Sequence, residues 1–263
     1  MGGERGGQPL SQTAEVIRAG EADVVALQET VPEKARELAD LLGWGYVHSA
    51  GGRKCTISRF VMLEGEASVA TVQLPSGHEL AVCNVHLPPY PYQPYQVLSI
   101  GKDPFLNTEE GVISAAVKAR GKPLVALLDE VKSLPNKNLP VVVLGDFNEP
   151  SHLDWTEAAM MAGLQPMKVA YPSSVAMREA GFLDAYRVVH PNEVKQPGFT
   201  WTPVTKQADP NDHHDRIDFV YIKGEGVSVS QAKIVGESSD FADLVVAPYP
   251  SDHRAVVIEL LFD

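Results

Sequence analysis

The chain has 263 residues, 44% hydrophobic and 21% charged, with 34 acidic side chains against 22 basic ones for a formal charge of −12. That length can bury a full core without disulfides, and two cysteines cannot form a disulfide framework. The acidic balance argues against a broad electrostatic grip on nucleic acid, though not against a local basic groove, and no run of about 18 uncharged apolar residues is present to span a membrane.

Pro9–Ala19 predicts a helix with Leu10, Ala14 and Ile17 on one stripe and Gly20 at its exit. Val24–Leu27 follows as a short buried strand ending in Gln28 and Glu29. A second helix starts at Pro32, which suits a first helical position, runs through Ala35, Leu38 and Leu42, and stops at Gly43. Beyond two glycine-rich turns, Cys55–Met62 reads as extended. Ala67–Leu74 and Glu79–Leu87 are β-rich arms joined through Pro75, Ser76 and Gly77, the second ending in Asn84, Val85 and His86. Pro88–Asn107 carries Pro88, Pro89, Pro91 and Pro94 among Tyr90, Tyr92 and Tyr95, and predicts a semi-rigid loop, because repeated proline opposes helix and central strand.

Helical pattern returns from Glu109 to about Ser133, with a break expected before Pro123. Val141–Leu144 has no polar alternation and predicts a central strand buried on both faces, ended by Gly145. Asp154 with Glu157 has the spacing of a capping box for a short helix to Met161, and another helix near Val175–Ala180 ends at Gly181. Phe199–Thr202, Ile217–Ile222, Val227–Val235 and Arg254–Phe262 complete the strands. With no internal repeat or low-complexity linker, residues 1–263 read as one domain. The opening MGGERGGQPL is neither a signal region nor a span, so the sequence as it stands reads as soluble and cytoplasmic, with any export signal further upstream outside its view.

Polar side chains gather where these strands end: Glu29, His86, Asp146, Asn148, Asp252 and His253. Asp146 and Asn148 are two apart, so an extended chain would aim both the same way, a pair suited to a hard cation and a phosphate oxygen; alone they are equally an Asx turn. Asp218 stands in an apolar run, where a carboxylate needs a partner such as a histidine. Singly, His86 is a satisfied histidine, Glu29 a helix-start acid and Asp218 an edge-strand charge.

The ordered set is more specific. LQE at 27–29, NVHL at 84–87, GDFN at 145–148, DRIDFVY at 215–221 and SDH at 251–253 together resemble the endonuclease/exonuclease/phosphatase superfamily, the DNase I-like metal-dependent phosphoesterases, over nearly the whole chain. The resemblance implies an α/β fold, a two-sheet sandwich with helices on the outer faces and an active site at the sheets' rim. It implies that Glu29 and Asp252 hold a metal and that Asp146 orients or deprotonates the attacking water, with Asn148 contacting phosphate or metal. His253 would be the catalytic histidine, oriented by Asp218, and His86 a second histidine facing the scissile phosphate. Carboxylate and carbonyl donors suit Mg²⁺ or Mn²⁺ better than zinc, and the adjacent His213 and His214 read as loop histidines.

One departure stands out. The superfamily opens with a strand bearing an asparagine at the metal site, and no counterpart precedes Glu29. A gap beside Val24–Leu27 is therefore expected, with self-association through the open edge as its consequence. The expected function is divalent-metal-dependent hydrolysis of a phosphate ester, as a phosphodiesterase or phosphatase. The alternatives are a DNase-like nuclease, with nucleic acid not favoured by the charge balance, and a catalytically weak binding relative.

Overall fold

The computed structural model describes residues 8–63, 68–206 and 208–263. Met1–Gly7 and Ala67, part of the opening and of one expected strand, lie outside them. Helix α1 (Leu10–Ala19) leads to strand β1 (Val24–Leu27) and helix α2 (Pro32–Leu42). Pro32 occupies the first turn of α2, where a missing N–H leaves no bond unmade, and Gly43 closes the helix at φ 71°. Strands β2 (Tyr46–Ser49) and β3 (Cys55–Ser58) complete an antiparallel three-stranded sheet, β1-β3-β2. Ala14, Ile17, Ala35 and Leu38 from the helices close over Cys55, Ile57 and Leu27 on its outer face.

The extended stretch expected over Cys55–Met62 is in fact two strands in different layers. A bend at Arg59 and Phe60 carries the chain into β4 (Val61–Leu63), which pairs with β5 (Val69–Gln73) and not with β3. A hairpin joins β5 to β6 (Glu79–His86), as its turn residues predict. Within the proline-rich segment lies a short helix, α3 (Gln93–Leu98), which corrects the expectation of an unbroken loop: Pro94 falls in its first turn, where the lost donor is not needed. Helix α4 (Glu109–Lys132) likewise runs unbroken through Pro123. Its buried face, Val112, Ala116, Arg120, Leu124 and Leu127, follows the helical period on both sides of the proline, and that burial outweighs the roughly 3 kcal/mol an interior proline costs.

Strand β7 (Val141–Asp146) lies at the centre of the larger sheet, parallel to β6. Beyond it come α5 (Glu157–Met161), α6 (Pro172–Glu179), β8 (Leu183–Asp184), α7 (Ala185–Val189), β9 (Asp218–Lys223), β10 (Val227–Gly236), β11 (Leu244–Val245) and β12 (Ala255–Phe262). The six-stranded sheet has the order β4-β5-β6-β7-β9-β8, and the third sheet the order β11-β10-β12. Val141 and Val143 face Leu124, Leu127 and Met177 of the outer helices, while Val142 and Leu144 face the inner layer, where Val256, Ile258 and Leu260 meet them. The sandwich expected from the resemblance is present, with its second layer divided into two three-stranded sheets.

Two further expectations change. The α5 cap is Thr156, whose hydroxyl accepts from Ala159 N, not Asp154. Asp154 is held instead by Arg216, at 3.0 Å from Nε, and by Arg187, at 2.7 Å. Arg216 also donates to Asp184 at 2.7 Å, so a guanidinium with 1% exposure is enclosed by two buried carboxylates. Phe199–Thr202 forms no strand of its own, Trp201 making only single bridges to Asp215 and His253.

β1 and β12 are the inner edges of the two small sheets, and neither has a second partner strand among the described residues. Both line one cavity of about 880 Å³, floored by Leu80, Val82, Val142 and Leu144 and flanked by Thr13, Val16 and Ile17 of α1. Among the described residues, the edge expected beside Val24–Leu27 is thus open.

Candidate active site at the rim of the sheets

Registry places the polar strand ends side by side. His86 at the end of β6 pairs with Asp146 at the end of β7, and Asp146 pairs with Asp218 at the start of β9. Gly145 permits this crowding. Its φ is +139°, and a Cβ there would fall inside the contact distance of the Val85 carbonyl oxygen and press on Gln28.

Asp146 is buried, and its Oδ1 accepts the Asn148 N–H at 2.7 Å while Oδ2 accepts the Asn148 amide at 3.0 Å. The pair is therefore an Asx turn with Asn148 at φ 50°, not an extended dipeptide; the turn, not strand alternation, brings the two side chains together. Asn148 also donates to Leu87 O at 2.9 Å, which fixes its amide nitrogen away from the open side. His86 Nε2 lies 3.6 Å from Asp146 Oδ2. Burial pushes the His86 imidazole below its ordinary range, so it is neutral at pH 7.

His253 Nδ1 stands 2.9 Å from Asp218 Oδ2. Burial disfavours the charged ring, but Asp218, helped by Asp146 and Asp252, overcomes it and lifts His253 to about 10, an imidazolium at neutral pH. Asp146 is pushed up to about 7, by burial first and by Asp218 second. Ligand-capable atoms of Asp146, Asp218 and His253 lie within 4.8 Å of one another. Glu29 and Asp252 line the same cavity as these three, Glu29 exposed on a left-handed residue whose carbonyl accepts from Arg53 at 2.9 Å. The Glu29–Asp252 pair that the resemblance assigns to metal lies outside that group of three, although both residues line the same cavity.

The sequence matches the Endonuclease/Exonuclease/phosphatase family over residues 2–253. This chain belongs to that family. An uncharacterized Caenorhabditis elegans protein, F14F9.5, is 28% identical over 262 residues, which cover 91% of this chain and 82% of that one. An endonuclease/exonuclease/phosphatase structure from Beutenbergia cavernae superposes with a TM-score of 0.60 at 19% identity, covering 97% of this chain and 66% of its own. A humanized D. rerio TDP2 does so with a TM-score of 0.58 at 18% identity, covering 97% and 93%. These structural likenesses establish the fold.

Members of the endonuclease/exonuclease/phosphatase family are typically phosphoesterases or nucleases and are generally divalent-metal dependent. The donors present fit such an ion. Four carboxylates, Glu29, Asp146, Asp218 and Asp252, line one cavity, a set of oxygen donors suited to a hard cation. Oxygen donors with one histidine already engaged by Asp218 suit a hard cation rather than zinc. His213 lies 2.7 Å from Asp215 and His214 lies 3.3 Å from Asp212, so the adjacent histidines serve different acids.

Several residues at this family member's site escaped the sequence reading. Thr200 Oγ1 accepts the N–H groups of Ile217 and Asp218 at 3.0 and 3.2 Å, and Thr202 Oγ1 donates to Asp252 O at 3.0 Å. The Phe199–Thr202 segment thus straps the Asp218 strand to the His253 loop. Trp201 faces His253 with ring centroids 6.5 Å apart, and Tyr95 lies 5.4 Å from Trp201. Beneath them, fully buried Asp215 accepts from Tyr92 Oη at 2.6 Å and from Trp155 Nε1 at 2.9 Å. Asp215 was visible as the first residue of DRID, but nothing local distinguished it from a turn aspartate. Buried Arg120 donates to Pro91 O at 3.0 Å and to Gln93 Oε1 at 2.5 Å, fastening the proline-rich segment to α4.

Proposed function

We propose that this chain is a divalent-metal-dependent hydrolase of phosphate esters, acting by direct attack of water on phosphorus. The observation that carries the reading is the Asp218–His253 pair set against buried Asp146, with ligand-capable atoms of all three within 4.8 Å. A phosphate ester resists hydrolysis because its anionic centre repels nucleophiles, so a site must supply positive charge and an oriented water. Glu29 and Asp252 would hold Mg²⁺ or Mn²⁺, which supplies positive charge to the phosphate oxygens. Asp146 takes the proton of the attacking water as the new P–O bond forms, its raised affinity near neutrality matching that task. His253, cationic through Asp218, neutralises charge on the phosphate oxygens and gives its proton to the departing oxygen as the old P–O bond breaks. Neutral His86 and Asn148 complete the polar wall.

A bis-aryl phosphodiester, an aryl phosphomonoester, plasmid DNA and sphingomyelin, each assayed with Mg²⁺, Mn²⁺ and EDTA, test this reading. Metal-dependent turnover of at least one substrate, abolished by EDTA, is expected. Absence of turnover on all four with either metal would remove the hydrolase reading, and cleavage confined to plasmid DNA would replace it with a nuclease.

The aromatic wall beside His253 bears on substrate choice. Of the three tyrosines in the proline-rich segment, Tyr92 is 5% exposed and committed to Asp215, whereas Tyr90 is 74% exposed and Tyr95 is half-buried against Trp201. Tyr95→Ala and Trp201→Ala should each raise KM for an aryl phosphodiester by about tenfold, with little change for an alkyl phosphodiester. Tyr92→Phe should instead lower stability by about 1–3 kcal/mol through the donor lost to Asp215, with kinetics unchanged. Equal KM effects on aryl and alkyl substrates would reduce the wall to packing.

A further inference from the structure

Next to the Asp146–Asn148 turn lies a buried ion pair that the proposed chemistry does not use. Arg120 comes from the buried face of α4 and Glu149 follows Asn148 directly; both are enclosed, and Arg120 Nη1 lies 3.7 Å from Glu149 Oε2. A pair of charges so deep seldom stabilises a fold more than apolar side chains of the same volume would. Packing alone therefore gives α4 no reason to carry a guanidinium among Val112, Ala116, Leu124 and Leu127.

The two partners reach opposite halves of the site. On one side, Arg120 donates to Pro89 O at 3.3 Å, to Pro91 O at 3.0 Å and to Gln93 Oε1 at 2.5 Å, three acceptors in the stretch that leads to Tyr95. On the other, Glu149 continues the turn begun at Asp146, and its Oε1 accepts the Ser173 N–H at 2.7 Å in the first turn of α6. The same two stretches are also joined at their other ends, where the Leu87 N–H donates to Asp146 O at 2.9 Å and the Asn148 amide donates to Leu87 O at 2.9 Å. Residues 146–149 and 87–93 thus form two sides of a closed ring, fastened at one end through Leu87 and at the other through Arg120. The Leu87 bonds alone would leave the two sides free to pivot, and the guanidinium removes the pivot.

We propose that Arg120, with Glu149 as its counterion, is a positioning residue for the hydrolysis: it fixes the turn that aims Asp146 and Asn148 against the wall that carries Tyr95. Fully buried, it touches no substrate itself. The planar fork is what matters, because an ammonium can face Glu149 but cannot hold three further oxygens in set directions. Its effect on rate rests on the hydrolase reading, whereas its effect on the turn does not. A displacement of about 1 Å at a reacting group costs on the order of a hundredfold in rate, so a fastening remote from the phosphate still shows in kcat.

Three variants separate positioning from packing. Arg120→Met strands Glu149 and should lower the melting temperature by about 10 °C. Arg120→Met combined with Glu149→Gln removes the stranded charge and should recover most of that loss, and Arg120→Lys keeps a charge opposite Glu149 without the fork. In the double variant and in Arg120→Lys, kcat for an alkyl phosphodiester should still fall by about thirtyfold to a hundredfold with KM little changed. Amide hydrogen exchange reads the turn without any activity: at Leu87 and Asn148 it should quicken by about tenfold in both variants, while Val143 and Val220 in the sheet keep the wild-type rate. Wild-type kcat in the double variant and in Arg120→Lys, or wild-type exchange at Leu87 and Asn148 in both, would overturn the proposal and leave the pair as packing. A wild-type chain without turnover removes the hydrolase reading alone, and the exchange at Leu87 and Asn148 then decides by itself.

Discussion

His253→Ala is expected to lower kcat for a hydrolysed phosphodiester by about a thousandfold or more, since it removes both a cation and a proton donor from the reacting phosphate. Asp218→Asn should cost less, roughly tenfold to a hundredfold, because the amide keeps a hydrogen bond to Nδ1 but not the charge that holds the ring protonated. Asp218 begins β9 and pairs in register with Asp146, so the carboxylate is anchored by strand geometry that the isosteric amide preserves. The two variants should also differ in pH behaviour: the wild-type ring, lifted to about 10, stays charged through neutrality, while the Asp218→Asn ring should lose its proton closer to neutrality and carry activity down with it as pH rises. Near wild-type rates in both variants at saturating metal would refute the pairing as a catalytic element.

The largest stability effect is expected at Arg216, remote from that chemistry. Arg216→Met should destabilise the fold by roughly 3–5 kcal/mol, because it leaves Asp154 and Asp184 buried without the guanidinium that compensates both. Arg187 still reaches Asp154, so the residual cost should fall mainly on Asp184. The triple variant Asp154→Asn, Asp184→Asn, Arg216→Met should recover much of the loss by removing the stranded charges. Urea midpoints at constant m-value read both effects, and a single variant as stable as wild type would show that water reaches the cluster.

How far the sequence carried depends on what each residue's neighbours are. Pro32 with Gly43 and the Pro75–Gly77 turn are local instructions, and α2 and the β5–β6 hairpin follow them. The unalternated Val141–Leu144 run located the central strand, and His86, Asp146 and Asp218 stand side by side because paired strands bring their ends into register. What failed depended on partners distant in the chain. Pro123 survives in mid-helix only because Leu124 and Leu127 have a sheet to cover, and Asp154 leaves its expected cap for two arginines that come 33 and 62 positions later. Trp201 and Asp215 carried no periodicity at all; their roles arise from Tyr92 and His253, more than 35 positions away.

Asn84 sets how firmly the β1 wall of the large cavity is held. Its amide donates to Cys55 O at 3.0 Å and to Leu27 O at 3.3 Å and accepts from Gln28 at 2.8 Å, so one buried side chain rivets the β1 wall to β6. On the other wall, Arg254 at the head of β12 donates from its backbone to Thr200 O at 2.6 Å and from its guanidinium to Phe199 O at 3.0 Å, and Thr200 is in turn bound to the start of β9. Each wall of the cavity is therefore bolted to the six-stranded sheet through its own anchor, Asn84 on one side and Arg254 with Thr200 on the other. The two edges should therefore open and exchange their amide hydrogens independently, each at a rate set by its own anchor to the six-stranded sheet.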